Sequence, residues 1–396
     1  MEGASKVLKG NVAMMGWVRR AIVGMGTVAL CFATGCGSFW VYPGTLNSST
    51  TAATGDYVYV ANSYSTSTST VESVAGFVVG TGALTPVSGS PYALSFFPTA
   101  LAVNPANTIL FVAGNSLIYA FAIESGGVLS VLNSGSAVGV ADVVSMQVSP
   151  DGQWLLALDG NGVTVDEFEI NSSTGHLTAQ TGATYSISGV TAVPSALKIA
   201  PNGDYVFLAL GTAGDLVFTF NTSTGALASS QELLFTQPST TSDNALAVNP
   251  ASTYLYIARS GTGGGLAVYS IGTGGALTAV SGSPFAAGTQ PYSVVVNNAG
   301  TDVYVANRGD STISGYSVGS TGTLTALGGS PFTSGSAVTA LAVDNSGDYL
   351  LAAANGGSPD LTMYSFDATV VGKLDVSTTT ATGTDPVGAV AIAATH

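Results

Sequence analysis

One apolar tetrad sets the limits on this fold. It recurs as ALAV at Ala100, SMQV at Ser145, ALKI at Ala196, ALAV at Ala245, SVVV at Ser293, ALAV at Ala340 and AVAI at Ala389, at intervals of 45 to 51 residues. A period of that length marks a repeat architecture, in which each unit buries its apolar faces only by stacking on its neighbours. After each of the first six tetrads comes a tight turn, such as Pro150-Asp151-Gly152 or Pro201-Asn202-Gly203, and then a second apolar strand, such as VYVA from Val303. Third strands follow, for instance Ile118 to Ile123, Val163 to Ile170 and Leu361 to Phe366. Outer strands open at Gly turns reading TGALT, GGVLS, TGHLT, TGALA, GGALT, TGTLT and VGKLD. Four short strands per period is one blade of a β-propeller.

The seventh tetrad is followed by no second strand, whereas Tyr57 to Ala61 is a second strand without a tetrad. Joining them completes a seventh blade from both ends of the repeat region. The predicted fold is therefore all-β, a seven-bladed β-propeller of four-stranded antiparallel blades. The C-terminal strand closes the ring on the N-terminal strands and removes the exposed edges of an open array. Strand chemistry agrees. The second and fourth tetrad positions, Leu101 and Val103 through Val390 and Ile392, are bulky and share a face by period two. The positions between them are mostly Ala or Ser, small enough for close packing of the next blade.

Charge is unevenly spread. Lys6, Lys9, Arg19 and Arg20 precede Cys36, and the rest holds only Lys198, Arg259, Arg308 and Lys373 against 21 acidic residues, a formal charge of −17. Such a body repels polyphosphates, so nucleic acid is not an expected partner. From Arg19 the chain reads RRAIVGMGTVALCFATGC: two positive charges, an apolar run too short to span a bilayer, then small residues up to Cys36. The segment 1–36 reads as a signal peptide, with Met1, Met14 or Met15 as the start. Ala33-Thr34-Gly35-Cys36 resembles a bacterial lipobox, in which Cys36 is lipidated. The alternative is an ordinary cleaved signal and a soluble secreted product. Residues 37–54 read as a tether and 55–396 as the propeller, a monomer that meets the membrane only through its anchor. Cys31 and Cys36 are the only cysteines, so the body has no disulfide or thiolate chemistry.

The runs VYVAN (Val58, Val303), ANRGDSTISGYSV and SGSPF, in tetrad, turn, strand order, resemble the lactonase family of seven-bladed propellers and related YVTN-repeat surface proteins, over about residues 55 to 396. That group includes 6-phosphogluconolactonase and muconate-cyclising enzymes. The resemblance implies a His, Arg and Glu constellation at the mouth of the central channel. This sequence offers few residues to match it: His176 lies in the turn opening an outer strand, and His396 follows the last strand.

Candidate chemistry rests on rare polar residues. Arg259 and Arg308 end the second strands of consecutive blades, so they are expected side by side, where paired guanidinium groups could clamp a carboxylate or polarise a lactone carbonyl. The competing reading has Arg308 answering Asp310 and Arg259 solvated. Lys198 and Gln147 occupy the third tetrad position of adjacent blades, which suggests a channel-lining pair with Asp159 as counter-ion to Lys198; the plainer reading is a structural ion pair. Asn307 and Asp310 flank Arg308 as candidate ligand contacts. Asp151, Asp204 and Asp348 sit beside Gly in hairpin turns, where Asp bonds its own backbone. The run Asp344 to Asp348 lacks the terminal Glu of a helix-loop-helix calcium site, so it too reads as a turn. Glu167 and Glu169 are expected on one blade surface, away from the mouth. The Ser-Pro-aromatic exits at Pro91, Pro284 and Pro331 read as loop packing. No metal or cofactor is expected. Two functions follow: a surface module that binds a glycan, a protein or a small lactone, or a hydrolase of small unphosphorylated lactones using Arg308, Arg259, Lys198 and Asp159.

Overall fold

The computed structural model describes residues 55–65, 70–140, 142–180, 183–184, 191–237, 239–356, 360–383 and 389–396. Residues 1–36, read above as a signal peptide ending at Cys36, and 37–54, read as a tether, lie outside them. Seven antiparallel sheets form the blades, numbered here by their innermost strands. Blade 1 runs outward through Pro98–Val103, Ile109–Gly114, Leu117–Ile123 and Leu129–Val131. Blade 2 has Val143–Val148, Trp154–Asp159, Thr164–Ile170 and Leu177–Ala179. Blade 3 has Ala196–Ile199, Tyr205–Ala209, Gly214–Phe220 and Leu227–Leu234. Blade 4 begins at Ser242–Val248, blade 5 at Pro291–Val296 and blade 6 at Val338–Val343. Blade 7 combines Ala389–Ala394 with Tyr57–Ser65, Thr70–Gly80 and Ala83–Pro86. The only helical segments among the described residues are three single 3-10 turns. The innermost strands neighbour one another in order, and the last neighbours the first.

Each blade has a hairpin face, with the turn from first to second strand, and a loop face, with the turn from second to third strand and the connection to the next blade. Five of the six covalent hairpin turns share one device, and in blade 3 Ala200 stands in its place. The residue after the tetrad accepts from the amide that starts the second strand: Asn104 Oδ1 from Ile109 N at 2.8 Å, and Asn249 Oδ1 from Tyr254 N at 2.8 Å. In blade 7 the hairpin is split between chain-distant segments, and Thr395 Oγ1 accepts from Tyr57 N at 2.9 Å. Side-chain capping thus survives where the covalent turn is missing. Closure places Val58 opposite Ala394 and Val60 opposite Ile392. By that register, Ala391 to Ala394 occupy the level of the other tetrads, two residues later than the AVAI signature. A two-residue slip preserves the facing of every side chain, so the apolar pattern alone does not reveal it. On the loop face, Thr382 Oγ1 donates to Asn62 Oδ1 at 2.8 Å and further ties the seam.

Neighbouring blades lock at the rim through the Gly turns. A Cβ on Gly225, which has φ +77°, would lie 2.5 Å from the Trp154 ring of the preceding blade; Gly322, with φ +79°, stands in the same relation to Tyr254 at 2.4 Å. These turns need glycine for both backbone and space. Deeper in, Tyr304 Oη donates to Gly372 O at 2.7 Å, whereas the equally buried Tyr256 Oη has no hydrogen-bond partner among the described residues. Tyr304→Phe is expected to cost about 1 kcal/mol in denaturant unfolding and Tyr256→Phe to leave stability unchanged or slightly higher; equal losses would refute the distinction. The Ser-Pro exits have a defined task beyond packing. Ser90 Oγ accepts from Gly76 N at 2.9 Å and Ser330 Oγ from Gly315 N at 3.0 Å, which caps a third-strand amide in each blade.

Candidate functional site

The four cations of the propeller meet different fates. Lys373 is held by Asp367 at 2.8 Å and Asp375 at 2.7 Å on the rim. Arg308 follows strand Asp302–Asn307 on the loop face, with its backbone N donating to Gln290 O at 3.0 Å. Its guanidinium carbon lies 4.9 Å from the centroid of Tyr292, whose side chain is 39% exposed at the top of the blade 5 inner strand. Among the described residues no carboxylate pairs with Arg308. Asp310 is engaged elsewhere: its carboxylate accepts from Thr289 N, which holds it below the usual carboxylate range. Arg308 therefore presents guanidinium donors beside an open aromatic face. Asn307, expected to contact ligand, is fully buried instead. Its Nδ2 donates to Thr312 Oγ1 at 3.0 Å and Ser314 Oγ at 2.9 Å, and its Oδ1 accepts from Gly288 N at 3.0 Å. It braces the loop behind Arg308 and has no donor to spare.

Arg259 does not stand beside Arg308 as an open pair. It is 9% exposed and bidentate to Asp243, Nε to Oδ1 at 2.6 Å and Nη2 to Oδ2 at 2.8 Å, with Phe235 over its guanidinium at 4.8 Å. Asp215 of blade 3 lies 3.8 Å away, 2% exposed, and neither of its carboxyl oxygens has a hydrogen-bond partner among the described residues. Burial, and then the neighbouring Asp243, push Asp215 well above the usual carboxylate range. Burial works against the charge of Arg259, but the bonds to Asp243 outweigh it and raise its pKa. Each member departs from the repeat. In four other blades the inner-strand position of Asp243 holds Pro98, Val143, Pro291 or Val338. The position of Asp215 holds Ile118, Val165, Leu266, Ile313 or Leu361. Asp215 and Asp243 were accessible to a blade-by-blade comparison of these positions, a signal that inspection of the strand ends alone passes over.

Lys198 and Asp159 do not meet. Lys198 pairs in register with Phe207 near the hairpin face, whereas Asp159 pairs with Val143 at the loop face. Three strand residues, about 10 Å, separate the two levels. Asp159 accepts from Asn161 N at 2.8 Å within its own turn. Gln147 does not line a pair with Lys198 either. Its Oε1 accepts from Ile199 N at 2.8 Å, as Ser145 Oγ does from Leu197 N at 3.0 Å, so blade 2 caps the open inner edge of blade 3. Lys198 at the matching position has only donors and cannot repeat this for blade 4. On the rim, Glu167 and Glu169 part company: Glu169 is exposed, but Glu167 is 5% exposed and burial lifts its carboxyl to about 7. Glu167 lines a cleft of 340 Å³ with Asp166, Phe168 and Gln180. His176 is exposed on the rim beside a cleft of 400 Å³.

The family model described as "Lactonase, 7-bladed beta-propeller" matches residues 57–391. The chain belongs to the lactonase family. No curated protein matches it. Among solved structures, this lactonase-family propeller is similar to a candidate 6-phosphogluconolactonase of Bacteroides uniformis, at 20% identity and TM-score 0.70 over 86% of this chain and 99% of that one. A counterpart from Bacteroides fragilis aligns at 18% identity and TM-score 0.69 over 88% and 100%. The periplasmic gluconolactonase of Pseudomonas aeruginosa aligns at 17% identity and TM-score 0.65 over 86% and 99%. At these identities the likeness carries the fold, and the chemistry has to be argued from the residues present.

Proposed function

We propose that this lactonase-family propeller is a lipid-anchored extracytoplasmic binding module that takes a sugar-acid or related carboxylate-bearing ligand on the loop face at Arg308 and Tyr292. The observation that carries this reading is a guanidinium stacked on a half-open aromatic ring with no acid answering it among the described residues, in a body where acids outnumber bases 21 to four. A guanidinium fork matches a carboxylate in two parallel hydrogen bonds, and an aromatic face suits the C–H face of a sugar. The export signal and Cys36 support the location, and loss of palmitate labelling in Cys36→Ala is its test. A second reading, hydrolysis of an unphosphorylated lactone, is supported by the family match and the gluconolactonase neighbour.

Both readings meet in one experiment. Gluconate binding is followed by calorimetry and acid release from gluconolactone by pH-stat, in the exported chain and in Arg308→Ala. Gluconate affinity is expected to fall about tenfold to a hundredfold in the variant, from loss of a charge-assisted pair. Binding without turnover favours the module, and turnover lost with Arg308 favours the hydrolase. Equal gluconate affinity in both proteins sinks the assignment of the site.

A further inference from the structure

The rim between blades 1 and 2 departs from the repeat in a way that leaves room. In blades 7, 4 and 5 the outer strand is followed by Ser-Pro-aromatic, and Tyr92, Phe285 and Phe332 stand opposite Val74, Leu266 and Ile313 of the third strand. Each ring packs into the seam with the next blade, and Tyr92 Oη accepts from Leu129 N of blade 1 at 3.1 Å. At the same level blade 1 has Val138, opposite Ile118, in the exit Ser136-Ala137-Val138. Proline and aromatic are both gone. Ser90, Ser283 and Ser330 each cap a third-strand amide, whereas the exposed Ser136 makes no side-chain hydrogen bond among the described residues. The turn before Ser136 is also one residue longer, and Asn133 and Ser134 make it with left-handed backbone, φ 53° and 52°, a conformation disfavoured for residues with a Cβ.

The result is a groove along the seam. Ile118, Val138 and Leu177 line its 400 Å³ cleft, and Val140 and Phe168 its 340 Å³ cleft, with Asn133, Ser134 and His176 at the lip. An apolar floor inside a polar rim is the anatomy of an interface. We propose that this groove holds residues 39–42 of the same chain, Phe-Trp-Val-Tyr, as the aromatic filling that the blade 1 exit lacks. These four residues hold three aromatic rings, and the whole segment 37–54 carries no charged residue, so an acidic body does not repel it. Indole N–H and phenol O–H suit a site with an apolar floor and polar lip. The reach is sufficient. The Tyr57 ring packs on Gly127, in the rim turn of blade 1, and Asn133 lies six residues further along that edge, about 20 Å. Residues 43–54 span about 40 Å when extended. Segment 39–42 then acts as a strap that seals the seam of blades 1 and 2, and only 43–54 serve as tether. The strap is independent of the loop-face reading, because Arg308 and Tyr292 take no part in it.

The exported chain, residues 37–396, has Trp40 and Trp154 as its tryptophans, and Trp40→Phe supplies the Trp154 background to subtract. Trp40 emission is expected to be blue-shifted and shielded from acrylamide at every protein concentration. Val138→Tyr writes the repeat's own residue into the groove. It is expected to leave Trp40 as open to acrylamide as a free indole, with no loss of melting temperature. A second measurement leaves the groove floor intact. Residues 37–396 contain no cysteine, so Tyr42→Cys with Ser134→Cys is expected to form an intramolecular disulfide under mild oxidation. Tyr42→Cys with Ser320→Cys, on the rim of blade 5, is expected to form none. A Trp40 open to acrylamide in the wild type, shielding undiminished in a folded Val138→Tyr variant, or equal cross-linking at Ser134 and Ser320 overturns the proposal. Shielding that grows with protein concentration, or cross-linked dimers, assigns the groove to a second copy and overturns it as well.

Discussion

A chain ending before Ala389 is expected to show no cooperative melt and to remain largely unstructured in near-ultraviolet circular dichroism. The segment Ala389–Ala394 supplies the inner strand of blade 7, so its loss strips Val58, Tyr59 and Val60 of their ladder partners. It also removes Thr395 from Tyr57 N, and the Ala389 carbonyl from Thr339 Oγ1 at 2.9 Å. The damage spreads to both neighbouring blades. Val390, Ala391 and Ala393 pack with Tyr57, Tyr59 and Leu101 towards blade 1, while Ala389 and Ile392 pack with Val58, Leu351 and Met363 towards blade 6. Each buried backbone group left unpaired costs about 1–3 kcal/mol, and several such groups exceed the roughly 5–15 kcal/mol that holds a domain together. Addition of a peptide covering 389–396 should restore a cooperative transition. A truncated chain that melts cooperatively near the full-length temperature would show that the ring does not need its closing strand.

The fold was legible because the information that specifies it is repeated. Seven tetrads, seven second strands and seven Gly turns each report the same unit, so an irregular blade cannot hide the period, and the offset between Tyr57 and Ala389 indicates closure directly. The residues of the candidate sites are single occurrences, and their meaning depends on strand level. Asp159 and Lys198 lie in the correct neighbouring blades to pair, but the first is on the loop face and the second near the hairpin face, a separation set by register. Asn307 belongs to a turn that varies between blades, yet its amide is consumed by the turn it builds. Asp215 is the opposite case: it stands out once its blade is aligned with the others, as an acid in a column of Leu, Ile and Val.

Replacing Arg259 by Met is expected to cost about 3–5 kcal/mol in denaturant unfolding at neutral pH, because Asp243, with no solvent exposure, then keeps a buried charge without its partner. Asp215 predicts the opposite behaviour when removed. Its folded-state pKa is raised, so the wild-type protein has its full stability only below the unfolded carboxylate value of about 3.9 and loses part of it as pH rises through the folded value. Asp215→Leu, the residue found at Leu266 and Leu361, should therefore match the wild type in acid and exceed it at neutral pH. Combining Asp215→Leu, Asp243→Val and Arg259→Met replaces the charged cluster with side chains of the repeat, a change expected to be neutral or stabilising by about 1–4 kcal/mol. Gluconate binding in that triple variant decides what the cluster is for. Unchanged affinity assigns it to packing between blades 3 and 4, leaving Arg308 to hold the ligand alone, whereas lost affinity in a stable triple variant makes the buried cluster part of the loop-face site.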